Sequence, residues 1–160
     1  MEWQNQAYII FQIFTAFFLG GFIGFERERH GISAGIRTYA AVCMGSAMFT
    51  IVGHDLMDED AASRIVANII TGIGFLGAGL IFRDTTHKRV TGMTSAATIW
   101  ATAAVGVAVG FRLYAIAVIC AIALYFLLAL DEFKWYKRWR KKIRYPKDPD
   151  PDPEREALED

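Results

Sequence analysis

Glu26, Arg27, Glu28, Arg37, Arg83 and Asp84 stand at the ends of long apolar runs in this chain of 160 residues. Carboxylates so placed can take a proton or meet a divalent cation, and Mg²⁺ bound weakly in this way keeps much of its water shell. Guanidinium groups beside them favour pairing, because an isolated charge at a membrane edge is costly. Glu26 with Arg37, and Asp84 with Arg27 or Arg37, are the expected pairs. Two roles are open to this set: an ion-pair lattice that fixes the loops, or the inner mouth of an ion or proton path. A second set is polar and uncharged. Asn68 and Thr71 lie in one apolar run, and Thr94, Thr98 and Thr102 recur every four residues in another. Such groups bond neighbouring helices together or line a narrow path. No catalytic pattern accompanies them. His30, His54 and His87 are dispersed, and Cys43 and Cys120 sit singly in apolar runs as small fillers. There is no nucleotide loop and no Ser/His/Asp set. The expectation is a protein that is not an enzyme and carries no cofactor.

Helices must position these groups, and the apolar pattern supplies five, at about 7–25, 36–52, 65–82, 92–110 and 113–130. Soluble helices of this length need polar faces, and these runs have almost none. An all-α, polytopic membrane bundle of five transmembrane helices is therefore expected over residues 1–130. Between Arg64 and Arg83 no charge falls, and the intervening 18 residues span about 27 Å as a helix, close to the thickness of a bilayer core. Gly72, Gly74, Gly77 and Gly79 crowd its second half. Glycine lets a neighbouring backbone come close, so this run is expected to be the central, tightly packed helix. Gly20/Gly24 and Gly106/Gly110 offer further close contacts, within the chain or with a second copy in a homodimer. The Thr94–Thr98–Thr102 stripe runs on into Gly106 and Gly110 and should face protein. Asn68 and Thr71 should face protein too, within reach of Thr98 or Thr102.

Formal charge is zero overall, which argues against nucleic acid as a partner. Residues 131–144 hold seven Lys or Arg against two acids, interleaved with Trp135, Tyr136 and Trp139. That is a juxtamembrane anchor for a bilayer with anionic headgroups. Residues 145–160 carry four prolines and seven acids, and regular packing is not expected there. Basic residues collect at 26–37, 83–89 and 131–144, whereas Asp55, Asp58, Glu59 and Asp60 share the 54–63 connection. With five spans the basic groups all fall on one side, so the chain should run N-out, C-in.

Four strings go further. Gly20 to Glu28, GGFIGFERE, resembles the first-helix motif of the MgtC/SapB family. Ala34 to Thr38, AGIRT, is similar to its AGLRT motif, with Ile36 in place of leucine. Gly72 to Gly79, GIGFLGAG, matches its signature letter for letter. Val90 to Trp100 resembles its GLTTAATLW segment, with Met93 and Ser95 as departures. The resemblance covers about residues 15–130, and Tyr39 stands where many members have a histidine. It implies a bacterial inner-membrane protein of about five spans, linked to magnesium limitation or acid stress. Some members were proposed as magnesium transporters. Others look like regulators of membrane-energy machinery, including the proton-driven ATP synthase. Longer members carry a soluble C-terminal domain, which this chain is expected to lack. Two functional expectations follow. One is a modulator acting through a larger inner-membrane complex. The other is a divalent-cation transporter or channel with a cytoplasmic carboxylate vestibule.

Overall fold

The computed structural model describes residues 3–84 and 89–144, with side chains at 5–55, 57–81, 91–130 and 132–139. Six α-helices carry the described chain: α1 Trp3–Arg29, α2 Ile36–Leu56, α3 Glu59–Leu80, α4 Met93–Gly110, α5 Tyr114–Ala129 and α6 Lys134–Arg144. A short antiparallel pair, β1 Phe82–Asp84 and β2 Arg89–Thr91, joins α3 to α4, with Phe82 opposite Thr91. The polar 83–89 connection is thus paired backbone at both of its described ends. The first four helices are each long and apolar enough to cross a membrane; α5, with 16 residues, is shorter. The protein is a helical membrane bundle.

Several boundaries differ from the apolar runs for local reasons. α3 starts at Glu59, six residues ahead of Ile65, because Asp58 caps it: the Asp58 carboxylate accepts from the Ala61 N–H at 2.7 Å. Glu59 and Asp60 in the first turn suit the positive end of the helix dipole. α3 closes at Leu80, before the paired strand begins. α4 starts after Gly92, whose φ of +87° is left-handed. A Cβ on Gly92 would lie 1.8 Å from the Leu80 carbonyl oxygen, so only glycine lets the chain turn there.

The chain divides into two compact units, residues 1–128 and 129–160. In the first, α2 is the central helix. It packs against α1, α3 and α4, and α4 also meets α1 and α3. Ile23, Tyr39, Cys43, Ala47, Ile99 and Val109 belong to the core. α3 is peripheral, which corrects the expectation that its glycine run marks the centre of the bundle. Its side chains Ile70, Phe75 and Leu76 face outward. On α5, Ala117 and Ala121 join the core, and Tyr114 and Tyr125 meet α1 rings, Phe11 at 5.6 Å and Phe22 at 4.5 Å. In the second unit a 3-10 turn, Leu130–Glu132, leads into α6. There Trp135 and Trp139 are exposed, with the Tyr136 ring 6.1 Å from each. The proline-rich segment 145–160 lies outside the described residues.

Candidate functional site

Of the polar groups expected inside the membrane, Thr98 and Thr102 lie on the seam between α2 and α4. Four-residue spacing puts Thr98, Thr102, Gly106 and Gly110 on one face of α4, all of them buried. α2 answers with Tyr39, Cys43, Ser46, Ala47 and Thr50, also buried. Glycine lets the two backbones close up. A Cβ on Gly106 would lie 2.1 Å from the Cys43 carbonyl oxygen, and one on Gly110 would lie 2.5 Å from Thr50 Cβ. The other side of α2 is equally tight against α1. A Cβ on Gly20 would meet the Tyr39 carbonyl oxygen at 2.5 Å, and one on Gly24 would meet Ile36 Cα at 2.8 Å. Both glycine pairs are therefore used within the chain, and neither is open to a second copy.

The Tyr39 and threonine hydroxyls in this seam are already bonded. Thr102 donates to the Thr98 carbonyl at 2.7 Å, and Thr50 donates to the Ser46 carbonyl at 2.8 Å. Thr98 donates to the Thr94 carbonyl at 2.8 Å, and its Oγ1 lies 2.6 Å from the Tyr39 hydroxyl. A threonine has one proton to give, so Tyr39 is the donor of that pair. Thr94 itself is exposed. At the far end of the seam Gln12, fully buried on α1, donates through Nε2 to the carbonyls of Val109 and Gly110, each at 3.0 Å. The last carbonyls of α4 are short of helical partners: Val109 also accepts from the Arg112 N–H at 2.9 Å, and Gln12 adds a side-chain cap to both from α1. Gln12 Oε1 has no partner. Sequence reasoning passed over this residue. A lone amide in the first apolar run was the available signal, because a buried amide needs partners.

The described charged residues reach different partners. Arg27 turns inward and donates from Nη2 to Ser95 Oγ at 2.5 Å. Glu26 is 1% exposed, and neither carboxylate oxygen has a hydrogen-bond partner. The Arg29 guanidinium lies 3.7 Å from it and His30 Nδ1 lies 3.4 Å away. Arg37, the expected partner, is exposed instead. The reason is geometric: Arg29 and His30 follow Glu26 by three and four residues on the same helix, where side chains meet. Glu28 reaches α2, accepting from the Ile36 N–H at 2.9 Å, a favourable place for an acid at a helix start. Arg83 and Asp84 lie in β1 opposite Val90 and Arg89. Their side chains, and so their expected pairing, fall outside the described residues.

Two expectations for α3 are corrected. Asn68 is exposed, and so is Thr71, which donates back to the Ala67 carbonyl at 3.0 Å. Neither reaches Thr98 or Thr102, because α3 turns its Ile73 and Gly77 face toward the core. Of the four glycines, only Gly77 meets another helix, with Ala96 Cβ at an ordinary 3.6 Å; a Cβ on Gly72, Gly74 or Gly79 would meet nothing within 4 Å. At the opposite end of the bundle, a clamp not foreseen from the sequence joins α2 to the α4–α5 turn. Arg112 Nη2 donates to both Asp55 oxygens at 3.0 and 2.9 Å, and His54 Nδ1 lies 2.8 Å from Asp55 Oδ1. Arg112 holds a left-handed φ of 63°.

Chemically the arrangement is a closed polar seam with one buried carboxylate near its mouth. A dehydrated Mg²⁺ needs near-octahedral oxygen coordination. In the described seam the Thr50, Thr98 and Thr102 hydroxyls turn back to carbonyls of their own helices, and the contacts at Gly106 and Gly110 leave no room between the backbones.

The MgtC family model matches residues 13–135. The protein named MgtC in Brucella abortus strain 2308 is 40% identical over 82% of this chain and 53% of its own length. SrpB of Synechococcus elongatus is 39% identical over 80% of this chain and 76% of its own length. An Escherichia coli K12 protein named "Putative magnesium transporter YhiD" is 37% identical, over 79% of this chain and 61% of its own length. The chain spans about half the length of the Brucella relatives it matches. No solved structure matches it. The match across the bundle, together with the GIGFLGAG run on α3, places this chain in the MgtC family.

Proposed function

We propose that this protein is a non-conducting modulator in the bacterial inner membrane, linked to magnesium limitation or acid stress and acting through a membrane partner. The supporting observation is the closed α2–α4 seam. Gly106 and Gly110 bring the two backbones into contact, and the Thr50, Thr98 and Thr102 hydroxyls bond to carbonyls of their own helices. A cation path would need those oxygens turned toward a gap. The link to magnesium rests on family membership and on the name of the Escherichia coli relative. The proposed orientation is N-out, C-in. It puts Glu26, Arg27, Glu28 and the β1–β2 connection on the cytoplasmic side and the Asp55–Arg112 clamp outside. It also sets α6 at the inner leaflet, where its cations meet anionic headgroups.

One observation favours the transporter reading: both Glu26 oxygens are buried without a hydrogen-bond partner. A carboxylate in that state can exchange a proton or contact a hydrated cation. With the described α2–α4 seam closed, this supports a sensing site rather than a conduit.

A deletion strain separates the two readings in cells. For a modulator, loss of the protein impairs growth at limiting magnesium while the rate of Mg²⁺ uptake stays at the parental value. A fall in uptake that precedes the growth defect and is restored by the wild-type chain would reject the modulator.

A further inference from the structure

The outer face of α3 carries Asn68, Gly72, Phe75 and Gly79. Their spacing of four, three and four residues is that of a two-helix seam. All four face out of the bundle, and Phe75 is 83% exposed, the highest value among the described large apolar side chains. Gly72 and Gly79 flank it with open backbone. Beside the stripe runs a groove of about 520 Å³ between α2 and α3, lined by Gly45, Ser46, Phe49, Asn68, Gly72 and Leu76. Asn68 lies four residues past Arg64, about 6 Å into the apolar run, and makes no hydrogen bond among the described residues.

We propose that a second copy of this chain docks on the Asn68–Gly72–Phe75–Gly79 stripe of α3, forming a parallel two-fold dimer. Self-complementarity identifies the occupant. An amide both donates and accepts, so Asn68 of one copy satisfies Asn68 of the other, which a lipid chain cannot do. Phe75 is a knob, and Gly72, Leu76 and Gly79 of the second copy form the hollow that takes it. Two copies inserted with the same topology run their α3 helices parallel, as a two-fold axis along the membrane normal requires. Small residues at the crossing let the backbones approach, the usual basis of helix association in lipid. The inference does not rest on the modulator reading, because a conducting protein would dimerise through the same stripe.

The test uses the full chain in lipid bilayers in a Cys120→Ser background, where the remaining Cys43 is buried. Phe75→Cys is expected to cross-link to a dimer on mild oxidation. Phe18→Cys, on the exposed face of α1, is expected to cross-link at least tenfold more slowly. Native mass in nanodiscs should give two copies for the wild type. Gly72→Leu and Gly79→Leu should each lower the dimer fraction at least tenfold at unchanged helical content, because a Cβ at either site meets nothing within 4 Å in its own chain. A monomeric wild type, its groove filled by lipid alone, overturns the proposal. Equal cross-linking rates at Phe75→Cys and Phe18→Cys also overturn it.

Discussion

Gly106→Ala puts one methyl group into the tightest point of the α2–α4 seam. Its Cβ would sit 2.1 Å from the Cys43 carbonyl oxygen, whereas ordinary contact begins near 3.4 Å, so the helices must part by about 1.3 Å. The struck atom is backbone and cannot rotate away. Overpacking of this kind costs about 1–3 kcal/mol. If the separation extends along the seam, the Tyr39–Thr98 bond at 2.6 Å stretches beyond hydrogen-bonding range, costing about 1 kcal/mol more. Alanine recovers about 1 kcal/mol through its helix propensity. The net expectation is a loss of about 2 kcal/mol. Gly74→Ala is the control: nothing lies within 4 Å of the added methyl, so only the gain of about 1 kcal/mol remains. Thermal unfolding in one detergent, followed by circular dichroism, should separate the two variants with opposite signs relative to wild type. Equal stability of the two variants, or a stabilising Gly106→Ala, would refute the argument that this seam is closed by backbone contact.

Gly92→Ala should be more damaging than any other glycine-to-alanine change, since it combines a φ of +87° with a contact at 1.8 Å; protease sensitivity of the α3–α4 connection is the readout. Tyr39→Phe removes one buried hydrogen bond and should cost about 1 kcal/mol in the same unfolding assay. Thr98→Ala in the Tyr39→Phe background should then cost less than Thr98→Ala alone, because the pair acts as a unit. Gln12→Leu withdraws the donor shared by the Val109 and Gly110 carbonyls and should cost about 1–3 kcal/mol. Hydrogen exchange should show faster opening of the α4–α5 turn in that variant.

The helices were legible because hydropathy sets a membrane span directly, and the Thr98–Thr102–Gly106–Gly110 stripe was legible because its spacing matches a helix face. What the stripe packs against was not, since spacing along one helix says nothing of its neighbour. The same limit explains α3. Gly72, Gly74 and Gly79 allow close packing, but allowing it differs from using it, and only Gly77 has a neighbour within its own chain. The early start of α3 was within reach, because Asp58 followed by Glu59 and Asp60 is a helix-start pattern, although the same acids also suit a connection between spans. The Glu26–Arg37 pairing failed because Arg29 and His30 were nearer along the same helix. No alternation in the 82–91 segment announced its paired strands.

The central claim is that this bundle does not conduct Mg²⁺. Full-length protein purified into liposomes loaded with a magnesium indicator tests it directly, with and without an inside-negative membrane potential. The closed seam predicts Mg²⁺ entry no faster than in protein-free liposomes under either condition. Saturable entry that disappears in Glu26→Gln, with the unfolding transition of that variant unchanged, would contradict it.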